Sequence, residues 1–252
     1  MINPMTLKGK TILITGASSG IGRSVAIQAS KLGATLILIA RRKKALKETQ
    51  SLLCGENHRL FSLDLSQSDK TDECIKALKH QNIKIDGFVY GAGYGKKEVF
   101  PEIKRDFAHY MMDVNVFAFN EMIKALYKDN MFNEKGSIVA ISSTAALNSD
   151  DKELAYAMSK AALDASVSYH AKVLSKEGIR VNSILPGWVK TPMYEAFLKT
   201  YGETPYAKND LKKQSLGLIE PSEVANLACF LLSDATLSIT GSHYLIDGGF
   251  LL

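Results

Sequence analysis

The chain has 252 residues, 46% hydrophobic and 23% charged, a length and balance that suit one large α/β domain with a substantial core. No apolar run approaches the roughly 18 residues of a membrane span, and Met1 to Lys10 lacks the apolar core of a signal peptide, so a cytoplasmic location is expected. The net charge of +5, from 31 Lys and Arg against 26 Asp and Glu, is spread along the chain, which speaks against nucleic acid and suits an anionic cofactor or substrate.

Thr11 to Thr15 is a short β-branched run, the pattern of a buried strand. Gly16-Ala17-Ser18-Ser19-Gly20-Ile21-Gly22 follows at once, then a helical pattern over 21–32 stopped by Gly33, then a second strand over 34–40. Strand, glycine-rich turn, helix and strand open a dinucleotide-binding βαβ unit. The glycines let the backbone approach a pyrophosphate, and the helix N-terminus offers free N–H groups to it. The second strand runs into Ala40-Arg41-Arg42-Lys43-Lys44 with no carboxylate. An acidic residue there would bind the ribose 2′-OH of NAD, whereas Arg forks a 2′-phosphate. Arg41 and Arg42 therefore predict NADP(H).

A helix over 43–53 leads to a third strand over 59–63, ending at Asp64. That carboxylate could accept from an adenine amino group or cap the helix over 68–81. A fourth strand over 87–90 delivers Gly91-Ala92-Gly93, small residues that let backbone lie against a ligand. Residues 102–131 look mostly helical and carry Asn115. A fifth strand over 137–141 delivers Ser142 and Ser143, and a helix over 151–176 follows. Tyr156 and Lys160, four residues apart, share one face of that helix. An ammonium beside a phenol favours the phenolate, and a phenol tuned in this way can exchange a proton in a transition state. The helix also carries a stripe of small residues, Ala155, Ala161, Ala162, Ala165 and Ser166, which permits close packing of another helix. A sixth strand over 179–185 ends in Pro186-Gly187, and 190–217 is an insertion punctuated by Pro192, Gly202, Pro205 and Gly217, mobile enough for a substrate lid. A helix over 221–232 and a strand over 244–246 close the chain. The alternation implies one doubly wound Rossmann-type domain over 1–252, with about seven parallel strands and helices on both faces. Cys54, Cys74 and Cys229 form no CxxC pair and no His cluster accompanies them, which predicts buried reduced thiols and no metal site.

Thr15 to Gly22, Asn115, Ile141-Ser142-Ser143, Tyr156-Ala157-Met158-Ser159-Lys160, Pro186-Gly187 and Asp247-Gly248-Gly249 together resemble the short-chain dehydrogenase/reductase family, over essentially the whole chain. The closest general look is of its 3-oxoacyl-carrier-protein reductase-like branch. The resemblance implies a catalytic tetrad of Asn115, Ser143, Tyr156 and Lys160. Tyr156 would protonate the substrate oxygen, and Lys160 would lower its pKa while holding the nicotinamide ribose. Ser143 would steady developing charge, and Asn115 would hold a water beside Lys160. Ser143 is preferred to Ser142 because it lies thirteen positions before Tyr156, the usual family interval. The cofactor contacts implied are Gly16, Ser18, Ser19, Ile21, Arg41, Asp64, Leu65, Ala92, Val189 and Thr191, together with Tyr156 and Lys160. Where the family usually has Asn-Ala-Gly, this chain has Gly91-Ala92-Gly93, which removes a side-chain contact and the stiffness it gives. The family also commonly forms homotetramers through the Tyr-bearing helix and the helix near 221–232.

The expected function is NADP(H)-dependent reduction of a ketone, with a 3-oxoacyl thioester favoured and a possible carrier-bound form. A sugar or other polar ketone is the alternative substrate, and a non-catalytic NADP(H)-binding regulator the alternative of another class. Tyr94, Leu147, Trp188, Met193, Tyr194 and Phe197 are candidates to line the substrate pocket.

Overall fold

The computed structural model describes residues 3–202 and 204–252. Seven strands are assigned: β1 (Thr11–Thr15), β2 (Thr35–Ala40), β3 (Arg59–Ser62), β4 (Ile85–Tyr90), β5 (Phe132–Ile141), β6 (Arg180–Pro186) and β7 (His243–Ile246). They form one parallel sheet in the order β3-β2-β1-β4-β5-β6-β7. The central strands are apolar on both faces, as a sheet covered twice requires. Alternate residues divide between two cores. Leu13, Ile37, Phe88, Ile138 and Val181 face one, and Ile12, Leu36, Val89, Val139 and Ile184 face the other.

Helices α1 (Gly20–Lys31) and α2 (Lys43–Gln50) cover one face with α9 (Pro221–Leu232), while α3 (Ser68–His80), α5 (Ala118–Lys128) and α6 (Leu154–Leu174) cover the other. The chain builds outward from β1 to β3 and then returns to place β4 on the opposite side of β1. That reversal opens a crevice at the carboxyl ends of β1 and β4, where ligands of such sheets bind.

The structure details two segments and corrects one expectation. Residues 102–131 are mostly helical, as two helices, α4 (Arg105–Met112) and α5, joined by a π-helical turn over Asp113–Phe117. A π-turn frees carbonyls from the helical ladder. Here the buried Tyr90 hydroxyl takes the Val114 carbonyl, and Asn120 Nδ2 takes that of Val116. The insertion over 190–217 contains two helices, α7 (Pro192–Tyr201) and α8 (Pro205–Lys213). Thr191 caps α7, accepting from the Tyr194 amide, and Pro192 sits in its first turn. Cys54 is exposed, because it lies in the turn between α2 and β3, whereas Cys74 and Cys229 are buried in the two cores. No helix among the described residues is long and apolar enough to cross a membrane.

Candidate functional site

The glycine-rich turn lies at the carboxyl end of β1, packed against the residues after β4. Gly16 has φ +67°, and a Cβ there would stand 2.3 Å from the Gly91 carbonyl oxygen. A Cβ on Gly22 would stand 2.5 Å from the Gly16 oxygen. Only glycine fits this close approach of three backbones. Gly91 belongs to the same contact: a Cβ on it would meet the Thr15 oxygen at 2.9 Å. The buried Thr15 hydroxyl accepts from the amides of Gly91 and Ala92, each at 3.2 Å. Thr15 therefore stiffens the turn from which the family's usual Asn is missing. The cradle would be filled by side chains at these glycines, and it leads into the N-terminus of α1, so it fits a dinucleotide pyrophosphate.

Arg42 lies over this turn, its Nη2 donating to Ser19 Oγ at 2.8 Å and Ser18 Oγ at 3.2 Å. Arg41 projects outward, 61% exposed, with Nη1 donating to the Tyr110 hydroxyl at 3.2 Å and lying 3.8 Å from Asp64. Two guanidinium groups thus stand at the end of β2, one over the cradle and one flanking it. Asp64 does not cap α3. Its Oδ1 accepts from the Ser66 amide and hydroxyl, and Gln67 stands at the helix start. Leu65 is buried beside it. Ile21 is half-buried in the first turn of α1. Thr191 approaches Gly20 closely, 3.3 Å from where a Cβ would be, which brings Thr191 to the start of α1. Val189, buried, pairs with Ile219 at the root of the insertion.

Tyr156, Lys160, Ser143 and Asn115 come together at the carboxyl ends of β4 and β5. Lys160 Nζ lies 5.6 Å from the centroid of the Tyr156 ring and donates to the Ile141 carbonyl at 2.9 Å. Ser143 hydrogen-bonds the Tyr156 side chain. Ser142 turns away and donates to Asp164 Oδ2 at 3.0 Å. Ser142 and Ser143 follow β5, and Ser143 is the one that meets Tyr156. Asn115 is fully buried in the π-turn. Its Oδ1 accepts from the Tyr94 amide at 2.8 Å, and its Nδ2 donates to the Tyr94 carbonyl at 2.9 Å and to Ser159 Oγ at 2.8 Å. A Cβ on Gly93 would lie 3.6 Å from both Asn115 Oδ1 and Lys160 Nζ, so this glycine leaves room beside the amide and the ammonium.

The expected electrostatics are corrected here. Burial pushes the Tyr156 phenol up to about 12, against the Ser143 hydrogen bond and with help from the Glu153 carboxylate. Burial also pulls Lys160 down to about 8, against the Asp164 charge. In the chain alone the ammonium does not lower the phenol, because desolvation dominates both groups.

The substrate side is built by loops. Gly95 lies over Tyr156, where a Cβ would stand 3.1 Å from the ring and 3.4 Å from Met193 Sδ. The Trp188 and Phe197 rings pack tilted at 4.4 Å, and Tyr194 meets Trp188 edge-on at 6.0 Å. Trp188 is fixed from inside by Asp210, which accepts from its indole nitrogen, and by Gln214, which brackets its backbone. Leu147 and Met193 are exposed, and Tyr94 packs edge-on against Tyr110.

Four contributors have no local signal that singles them out. Thr15 and Ser159 lie inside the quoted motifs but act by hydroxyl contacts that pattern does not reveal. Lys97 and Glu153 form a separate ion pair. The Lys97 Nζ lies 2.7 Å from Asp150, 2.8 Å from Glu153 and 5.4 Å from the Trp188 ring. Among the described residues no group of His, Cys, Asp and Glu is placed to hold a metal ion.

A family model described as Enoyl-(Acyl carrier protein) reductase matches residues 16–251. Oxidoreductase UcpA of Escherichia coli K12 is 34% identical over 250 residues, covering 96% of this chain and 95% of that protein. L-xylulose reductase of Caenorhabditis elegans is 33% identical, covering 96% and 95%. The 3-oxoacyl-[acyl-carrier-protein] reductase FabG of Thermotoga maritima is 29% identical, covering 98% and 100%. Among solved structures, a short chain dehydrogenase family protein from Francisella tularensis superposes with a TM-score of 0.83 at 27% identity, covering 96% of this chain and 98% of that one.

Proposed function

Since the chain belongs to the short-chain dehydrogenase/reductase family of oxidoreductases, which act on CH–OH or C=O groups with a nicotinamide cofactor, we propose that it is an NADP(H)-dependent reductase of ketones. The observation that carries this reading is the convergence of Ser143, Tyr156, Lys160 and Asn115 beside a glycine cradle that Arg42 overlies. When bound, the reduced nicotinamide would supply the hydride.

The chain's own residues supply the rest. Gly16, Ser18, Ser19 and Ile21 would hold the pyrophosphate, and Arg41 and Arg42 the 2′-phosphate. Asp64, Leu65, Ala92, Val189 and Thr191 would border the adenine and nicotinamide halves. Tyr156 gives its proton to the substrate oxygen, and Ser143 hydrogen-bonds that oxygen as charge develops on it. Lys160 binds the ribose hydroxyls, and Asn115 fixes the loop carrying Tyr94 and Gly93 against it. Residues 1–252 act as one NAD(P)-binding domain, in which α7 and α8 form the lid over the substrate. Leu154, Met158 and Tyr169 are exposed along α6, and such an apolar face suits packing of a homotetramer.

The substrate favoured is a 3-oxoacyl thioester, supported by the similarity to FabG proteins. A polar ketone is the second reading, supported by L-xylulose reductase and by the charged Glu153, which acts on Tyr156 and pairs with Lys97. The test is NADPH oxidation against a panel of 3-oxoacyl thioesters and keto-sugars, with Tyr156→Phe as control. Turnover lost in the variant supports the reading. NADPH binding without turnover on any ketone would instead favour a cofactor-binding regulator.

A further inference from the structure

Residues at alternate positions after β4 meet the site. Gly93 lies beside Asn115 and Lys160, and Gly95 beside the Tyr156 ring and Met193. Lys97, two residues further on, ends in a cluster of charges and rings that has no part in the scheme above. Its side chain is 8% exposed, and Nζ lies 2.7 Å from Asp150 Oδ2 and 2.8 Å from Glu153 Oε1. The same atom stands 5.4 Å from the centroid of the Trp188 ring and 5.1 Å from that of Phe197. An ammonium at this range is attracted to the face of a ring.

These partners come from three parts of the chain. Lys97 belongs to the segment after β4. Asp150 and Glu153 lie where α6 starts, with Glu153 at its N-cap, three residues before Tyr156. The rings belong to the lid. The Glu98 amide donates to the Lys152 carbonyl at 3.0 Å, which joins the first two segments. A second ammonium, on Lys152, stands 5.9 Å from the Tyr201 ring at the end of α7.

The lid is braced from within. Trp188 packs on Phe197 and Phe197 on Tyr201, while Asp210 and Gln214 hold the indole and the Trp188 backbone. A contact made to these rings from outside therefore places the whole wall. Burial opposes the charge on Lys97, but Glu153 and Asp150 outweigh it and hold the ammonium above its ordinary value. Burial also raises Glu153, against the Lys97 charge. The two short contacts decide for a charged cluster. A buried ion pair adds little stability over apolar packing, so its value here lies in joining three segments at one point.

We infer that Lys97 is a positioning residue: its ammonium, held by Asp150 and Glu153, fixes the Trp188–Phe197 wall of the lid to the start of the helix that carries Tyr156. The inference rests on the reading of α7 and α8 as a lid and names the contact that sets it. Lys97 moves no proton in this scheme and acts through the rings.

Trp188 is the single tryptophan of the chain, so its fluorescence reports the wall directly. The test is acrylamide quenching of the protein without cofactor or substrate. The variants are Lys97→Met, Lys97→Arg, and Lys97→Met combined with Asp150→Asn and Glu153→Gln. The combined variant strands no carboxylate, so it keeps the test open if Lys97→Met alone does not fold. Its stability to urea should return toward wild type, yet its Trp188 should quench severalfold more readily. Lys97→Arg keeps a cation between the carboxylates and the rings and should quench like wild type. NADPH affinity should be unchanged. With a ketone that wild type reduces, kcat/KM of the combined variant should fall by about 10- to 100-fold, the cost of misplacing a substrate by about an ångström. Equal quenching in wild type and the combined variant would overturn the inference and leave Lys97 a neutralising partner of two carboxylates. A rise that Lys97→Arg does not reverse would overturn it as well. Absence of ketone turnover in wild type would sink the functional reading and leave the quenching result standing.

Discussion

Removing Arg41 and Arg42 separately and together measures the cofactor reading directly. Arg42 already spends its charge on neutral hydroxyls, at 2.8 Å from Ser19 and 3.2 Å from Ser18, so a phosphate arriving beside those serines replaces weak partners with a strong one. A hydrogen bond to a charged group contributes about 1.5–3 kcal/mol. Arg41 is 61% exposed and lies 3.8 Å from Asp64, so screening and competition place it at the lower end of that range. Arg42→Ala should therefore weaken NADPH by roughly 10- to 100-fold and Arg41→Ala by roughly 10-fold, at about 1.4 kcal/mol per decade. Affinity for NADH, which lacks the 2′-phosphate, should change little. The assay is fluorescence titration of both nucleotides against wild type, both single variants and the double variant. Equal binding of NADH and NADPH by wild type refutes the reasoning, and so does a preference for NADPH that survives in the double variant.

Gly16→Ala should abolish nucleotide binding and lower stability, since its Cβ would sit 2.3 Å from the Gly91 oxygen at φ +67°, a strain of about 1–3 kcal/mol; calorimetry and NADPH titration check both. The Lys160 ammonium is pulled down to about 8 in the folded chain, so between that pH and the ordinary lysine range the unfolded chain binds more protons and stability rises with pH. Cys74 and Cys229, pushed up to about 12, act with the opposite sign once pH exceeds the ordinary thiol range. Urea unfolding from pH 7 to 9 should show a rise of up to ~1 kcal/mol per pH unit above 8 that Lys160→Met lacks. Lys97→Met should cost ~3–5 kcal/mol, because it leaves Asp150 and Glu153 facing each other part-buried. Glu153→Gln in the same chain should recover part of that loss, read by urea unfolding.

The strands and their order along the chain were legible because each central strand carries a short run of buried, largely apolar residues, the pattern of a sheet covered on both faces. Gly16, Gly20 and Gly22 were legible because a strand precedes them and a helix follows. The helical character of residues 102–131 was legible, but the π-turn within them was not. What places that turn is the Tyr90 hydroxyl on Val114 and the Asn115 amide on Tyr94, both contacts with the end of β4 and the loop after it. Lys97 carries no local signal for a similar reason. Its partners Asp150 and Glu153 lie more than fifty residues away, and its neighbour in sequence, Lys96, pairs with Glu98 at the surface.

The protonation of Tyr156 shows a different limit. Four-residue spacing puts an ammonium beside a phenol, and charge alone would then lower the phenol. Spacing carries no information about water. In the folded chain both groups lose solvent, and each is driven toward its neutral form, the phenol to about 12 and the ammonium to about 8. A phenol held in this way keeps its proton across the physiological range, which makes it a donor before it is an acceptor. That polarity matches reduction of a carbonyl, in which the substrate oxygen gains a proton. Oxidation would need the phenolate, and hence a positive charge close enough to offset the desolvation. The Glu153 carboxylate, which pushes the phenol further up, opposes it. Burial and a carboxylate three residues before the tyrosine thus favour the neutral phenol, and the Ser143 hydrogen bond works against them.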